Sequence, residues 1–341
     1  MIDLCGSRRR RRRRPAAILP CRIGVRHTPA PLTTRALAHA KLAFIPVPLH
    51  SMRKSVPFPA ALIVFGIALG GVLADAVAAS PTLDRIKEAG VITFGYRDNA
   101  TPFSYKDREG RVRGYSVELC MRVAGAIQKE LGLSELRIEW VPVEASTRLD
   151  YVTSGKVDAV CGTTTITLSR MKLVDFSVPI YVDGGGVLVR AKTKLARLAD
   201  LKGKRIAVIG GTTTEESLVR GLNAISSPVV LVPVANAAEG MAMLSQGKVD
   251  GYAADRVVLA YLKLRAPNPN AFAFVTGDFS YEPFGLPVRR DDPDFKLAVN
   301  RALANLYRTG DIDEIFQRWL GALGKPGPLL HAMFYLNTLP E

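Results

Sequence analysis

Two copies of one tetrapeptide organise this chain, Gly155-Lys156-Val157-Asp158 and Gly247-Lys248-Val249-Asp250. The first leads through a strand pattern ending at Cys161 into a polar exit, Gly162-Thr163-Thr164-Thr165, with Arg170 just beyond. The second follows a helical segment ending in Met241, Met243 and Leu244 and leads through Tyr252 to Asp255. Upstream of each copy stands another strand pattern with its own exit loop. Val91 to Gly95 runs out into Tyr96-Arg97-Asp98-Asn99. Arg205 to Ile209 runs out into Gly210-Gly211-Thr212-Thr213-Thr214-Glu215-Glu216, which opens a helix. Each half therefore reads strand, exit loop, helix, tetrapeptide, strand, exit loop, and this alternation predicts two similar α/β lobes.

In open α/β sheets, ligands bind outside the carboxyl ends of the strands. The four exit loops then face one cleft and bring together Arg97, Thr163, Thr165, Arg170, Thr212, Thr213, Thr214 and Asp255. Thr212 is placed to cap a helix whose first amides point outward, and the partial positive charge of a helix start suits a carboxylate. Arg170 can meet the same carboxylate with a bidentate fork. Asp255 supplies the opposite sign, as an ammonium group requires. The two poles together read as a site for a zwitterion.

Around these segments the local signals are ordinary. Thr82 is read as the cap of a short helix that stops at Gly90, with Leu83 and Ile86 inward. Phe103 to Tyr105 and the turn Asp107-Arg108-Glu109-Gly110 read as a hairpin. The clearest helix places Val117, Met121, Ala124, Ile127 and Leu131 on one face, pairs Glu118 with Arg122 on the other, and ends at Gly132. Arg137 to Val143 reads as a strand, and Thr147 to Ser154 as a helix. Phe103, Tyr105 and Phe284 are candidates either for stacking on ligand carbons or for core packing.

The formal charge of +15 over 341 residues would suggest a nucleic-acid or anionic-membrane partner, but its location removes that reading. Residues 1–51, a low-complexity Arg/Pro/Ala leader, hold eleven basic residues against one acid, whereas the last 262 residues carry only +4. No nucleic-acid partner is expected. Three of the four histidines also lie in the leader, leaving His331, so a histidine triad and a multi-histidine metal site are excluded, and no cofactor is expected. Cys120 and Cys161 are too far apart for a CxxC spacing and are either a disulfide or two buried thiols.

Residues 52–79 begin Met52-Arg53-Lys54, continue through the fourteen mostly apolar residues Ala60 to Leu73, and end Ala74-Asp75-Ala76-Val77-Ala78-Ala79. Basic start, apolar run and A-x-A site follow the order of a cleavable export signal. As a helix the apolar run would span about 21 Å, short of the roughly 30 Å of membrane hydrocarbon. Met52 is accordingly read as the true start, the leader as no part of the working protein, and the product as a periplasmic monomer.

With these segments in place, the chain resembles the periplasmic amino-acid-binding proteins of ABC transporters, solute-binding family 3, and within it the glutamate/aspartate-binding subgroup. The resemblance is carried by LDRIKEAGVITFG from Leu83 to Gly95, YRDNATPFSY from Tyr96 to Tyr105, GYSVELC from Gly114 to Cys120, and GKVDAVCGTTTITLSR from Gly155 to Arg170. It continues in DFSVP from Asp175 to Pro179, ADLKGK from Ala199 to Lys204, GTTTE from Gly211 to Glu215, and RDDPDFK from Arg290 to Lys296. It implies the type II periplasmic-binding-protein fold, with a hinge and an interlobe cleft. Lobe 1 would comprise 81–186 plus 286–341 and lobe 2 would comprise 187–285, with crossings near Gly184 to Val189 and Glu282 to Val288.

Carried over residue by residue, the resemblance gives Arg170, Thr165, Thr212 and Thr213 the ligand's α-carboxylate. It gives Asp255 and Thr163 the α-ammonium, and Arg97 and Arg148 the side-chain carboxylate of glutamate or aspartate. Three guanidiniums against one carboxylate make the cleft +2, which favours an acidic ligand. The chain departs from the subgroup at Ala237, where a histidine is usual, and at Ala145, where a serine is usual. The partner implied is a membrane permease that accepts the closed, loaded form. A rival on the same fold, a cyclohexadienyl-dehydratase-like enzyme, would need a general acid in the cleft, for which Glu144 and Glu215 are the candidates.

Overall fold

The computed structural model of the chain describes residues 80–277 and 279–340; the leader and the export signal read in residues 1–79 lie outside the described residues. Among the described residues no helix is long and apolar enough to cross a membrane.

Two five-stranded sheets share one topology. The first runs Arg137–Pro142, Val91–Tyr96, Ala159–Cys161, Pro287–Val288, Asp175–Phe176. The second runs Val230–Val234, Arg205–Ile209, Gly251–Asp255, Gly185–Arg190, Phe272–Phe274. In each, the first three strands are parallel and the fourth is antiparallel to the third.

The repeated tetrapeptide does the same work in both sheets. Gly155 and Gly247 adopt the left-handed conformation, with φ of 71° and 75°, that ends the preceding helix and favours glycine. Val157 and Val249 are each 1% exposed and enter the core. The Asp158 carboxylate accepts from the Thr93 amide at 2.8 Å while the Asp158 amide donates to the Thr93 carbonyl at 2.7 Å. Asp250 repeats this on Arg205, at 2.9 and 2.8 Å. Each aspartate thus clips its strand to the neighbouring parallel one and sets the register, Phe94 opposite Ala159 in the first sheet and Ile206 opposite Gly251 in the second.

The sheets are joined where Tyr181–Asp183 pairs antiparallel with Glu282–Phe284, Asp183 opposite Glu282. The chain passes between them at Gly184, and Gly185 already lies in the second sheet opposite Asp255. Tyr181 and Phe284 stack at 5.9 Å across this pair, and Phe103 stands edge-on to both, at 5.1 and 5.6 Å. Phe103 and Phe284 are fully buried here, which settles them as core, and Tyr105 packs edge-on to Trp319.

Local readings differ from the structure in two places. The helix Pro81–Ala89 is capped by Ser80, whose hydroxyl accepts from the Leu83 amide. Pro81, lacking an N–H, takes the first helical position, and the Thr82 amide goes to Asp292. In Tyr115–Glu130 the buried face runs through Val117, Cys120, Ala124 and Ile127, turning Met121 to its edge at 51% exposure. Cys120 uses that face to form a disulfide with Cys161, resolving the pair left open by the spacing.

Candidate functional site

A cavity lies at the carboxyl ends of the parallel strands of both sheets. Arg97 follows the strand Val91–Tyr96, and Thr163 and Thr165 follow Ala159–Cys161. Thr212, Thr213 and Thr214 follow Arg205–Ile209, and Asp255 ends Gly251–Asp255. With Arg148 these residues line one space, from sites up to about half the chain apart. Arg170 does not line it. It sits in the short helix Arg170–Lys172, and its Nη1 donates to the Thr165 carbonyl at 2.8 Å.

One wall is cationic. Arg97 is 6% exposed and Arg148 3%, and among the described residues neither guanidinium forms an ion pair. Arg148 Nε has no hydrogen-bond partner. Burial pushes Arg148 down to about 9, reinforced by the fields of Arg170 and Arg97. Burial lowers Arg97 as well, against the opposing fields of Glu144 and Asp255. Helix Arg148–Thr153 begins at Arg148 itself, so the packing of that first turn carries the side chain inward.

The opposite wall offers a helix start and a carboxylate. Thr212 caps Thr213–Ala224 by accepting from the Glu215 amide, and the Glu216 amide bonds the Thr212 carbonyl. The amides of Thr213 and Thr214 have no acceptor within the helix and stand at the cavity with the positive end of its dipole. Asp255 accepts from the Thr214 hydroxyl at 3.3 Å. Burial, with the fields of Asp183 and Glu282, pushes its carboxyl up to about 7, against the pull of Arg148 and the Thr214 bond.

Residues 92–322 match the bacterial extracellular solute-binding proteins, family 3. The chain belongs to this family. It is 34% identical over 259 residues to the L-glutamate/L-aspartate-binding protein of Pseudomonas aeruginosa, covering 75% of this chain and 85% of that one. It is 29% identical over 260 residues to the glutamate/aspartate import solute-binding protein of Escherichia coli, covering 75% and 86%. Among solved structures, a solute receptor for L-cysteine of Neisseria gonorrhoeae matches with TM-score 0.63 at 29% identity, over 73% of this chain and 98% of that one. An ancestral amino-acid-binding protein, precursor of cyclohexadienyl dehydratase, matches with TM-score 0.61 at 30% identity, over 70% and 99%. The α/β architecture is thus the two-lobe type II fold of this solute-binding family.

In this family member the sequence reading missed Glu282, which is 1% exposed on the return crossing strand. One of its carboxylate oxygens accepts from Thr165 Oγ1 and from Thr213 Oγ1, both at 2.7 Å, and the two hydroxyl oxygens are 3.0 Å apart. The other oxygen is buried without a partner. Thr165 belongs to an exit loop of the first sheet and Thr213 to the helix start of the second, so this carboxylate joins the two. It also lowers the charge expected of the surroundings from +2, since Glu282 and the neighbouring Asp183 stand with Asp255 against the three guanidiniums. The signal for it was an acid embedded in the apolar stretch Glu282-Pro283-Phe284-Gly285-Leu286-Pro287. Tyr252, Asn99 and Thr214 also line the cavity, as does Ala237, whereas Ala145 is buried outside it.

Proposed function

We propose that this chain is the substrate-binding component of an amino-acid ABC transporter that captures glutamate or aspartate. The observation that carries the reading is the pair of buried guanidiniums without ion pairs, Arg97 and Arg148, facing a helix start and a carboxylate across one cavity. A buried charge without a partner costs several kcal/mol, and a second ligand carboxylate relieves that cost where an amide does not. The ligand's α-carboxylate is assigned to the amides of the Thr212 and Thr213 helix start, and to Thr165 once its hydroxyl proton turns from Glu282 to the ligand, with Arg170 steadying Thr165 through its carbonyl. Asp255 and Thr163 take the ammonium.

Closure follows from the connectivity. The two sheets are linked through the paired strands Tyr181–Asp183 and Glu282–Phe284, and ligand contacts on both sides favour the closed state. The loaded form docks on a membrane permease and acts as a monomer. The family is extracellular, and the export signal in 52–79 would deliver the protein to the periplasm. Capture is favoured over turnover because the curated relatives are binding proteins, and neither acid read from the sequence lines the cavity. Glu144 is exposed, and Glu215 accepts from the Gly211 amide.

Titration calorimetry against the common amino acids tests this. Glutamate or aspartate is expected to bind best, at least tenfold tighter than glutamine and asparagine. Equal binding of the uncharged amides would overturn the acidic reading, and product formed from prephenate or arogenate would overturn capture.

A further inference from the structure

Tyr252 lies within the strand Gly251–Asp255 and lines the cavity, yet its side chain is 0% exposed and its hydroxyl has no hydrogen-bond partner among the described residues. A phenol normally finds a partner when buried. The ring occupies a slot made by the helix Ala237–Ser245. A Cβ on Gly240 would come within 2.5 Å of the ring, so glycine there is what admits it. One turn earlier, Ala237 lines the same cavity with only a methyl group. The hydroxyl feels the fields of both Asp255 and Arg97, which line the same cavity. Burial raises its pKa, so it remains a neutral donor at physiological pH.

We infer that Tyr252 is a specificity-determining residue whose hydroxyl donates a hydrogen bond to the acceptor group on the side chain of the bound amino acid. This rests on the amino-acid reading of the cavity given above. It assigns a residue on the second sheet to the distal end of the ligand, opposite Arg97 and Arg148 on the first, so that both halves of the protein contact the group that sets selectivity.

The test is Tyr252→Phe, which keeps the ring in its slot beside Gly240 and removes one oxygen. Wild type and variant are titrated with glutamate and with norvaline, which has the same α-carbon groups and carbon count without the distal acceptor. Loss of a hydrogen bond to a charged group predicts about a 10- to 100-fold drop in glutamate affinity. Norvaline affinity should stay within about twofold, and the ligand-free melting temperature should be little changed. Undiminished glutamate binding overturns the inference. An equal loss for norvaline also overturns it, by showing that the hydroxyl serves the ammonium or the packing. If the best ligand of the wild type proves to be a neutral amino acid with a side-chain acceptor, the acidic reading falls alone. The role of Tyr252 then stands or falls on the same ratio measured with that ligand and its acceptor-free analogue.

Discussion

Replacing Arg148 by methionine should make the empty protein more stable and the working protein worse. The side chain is 3% exposed, with Nε unpartnered and no ion pair among the described residues, and its pKa falls from 12.5 to about 9. At about 1.4 kcal/mol for each tenfold change, that displacement corresponds to about 5 kcal/mol of unfavourable burial. Relaxation and water entry reduce the part that is recovered, and exchanging buried charges for apolar side chains of similar volume gains roughly 1–4 kcal/mol. For a chain of this size that is a rise in Tm of about 2–16 °C without ligand. A guanidinium keeps its proton throughout the working range, so the penalty is present in full at neutral pH. The measurement therefore belongs near pH 7. Glutamate affinity should fall by about 100-fold or more, because truncating one member of a buried charged pair costs about 2–5 kcal/mol. Differential scanning fluorimetry and calorimetry on the same preparation read both effects. A lowered Tm without ligand would show that the guanidinium is satisfied by the fold, and unchanged glutamate binding would show that it does not face the ligand; either result refutes the reasoning.

The Asp255 carboxyl at about 7 makes glutamate affinity depend on pH on the acid side. It should rise by up to about tenfold per pH unit towards 7, and a flat calorimetric profile between about pH 5 and 7 would contradict the assignment of Asp255 to the ammonium. The empty protein runs the other way on the acid side. The folded pKa of Asp255 lies above its ordinary 3.8, so its penalty is absent at low pH and grows as pH rises to about 7, lowering Tm across that window. Replacing Cys120 and Cys161 by alanine opens a loop with a sequence separation of 41 and should cost about 4 kcal/mol by chain entropy. Denaturant titration reads this, and a loss below about 1 kcal/mol would argue against that origin. Glu282→Ala removes two charge-assisted bonds of roughly 1.5–3 kcal/mol each between Thr165 and Thr213. It should enlarge the ligand-free radius of gyration in small-angle scattering, and an unchanged value would deny that the carboxylate holds the lobes together.

What could be read in the chain was whatever acts over short distances. The tetrapeptide repeat, the strand ends and the Thr212 cap rely on neighbours within a few residues or on topology, and they pointed to Arg97, Thr163, Thr165, Thr212, Thr213 and Asp255, which line one cavity, whereas Arg148 was reached only through the family resemblance. Glu282 was opaque because its partners stand 117 and 69 residues away, and an acid in an apolar strand does not announce what it accepts from. Tyr252 looked like an ordinary strand aromatic, and only the close approach of Gly240 shows where its ring goes. Arg170 has the right chemistry for a ligand carboxylate but is engaged by the Thr165 carbonyl. At the first helix, Thr82 and Ser80 are both capping types, and the choice fell to Pro81 and to a contact with distant Asp292.

The antiparallel pairing of Asp183 with Glu282 means that the polypeptide departs from the first lobe and rejoins it at adjacent points. The second lobe is, in connectivity, an insertion whose two ends already lie one strand spacing apart. A tight turn between those residues would let the first lobe keep its own sheet intact, and a foreign domain with neighbouring termini should splice into the same place. Ligand choice is thereby divided into exchangeable portions, because the residues of the cationic wall stay with the host while the helix start and the carboxylate travel with the cassette.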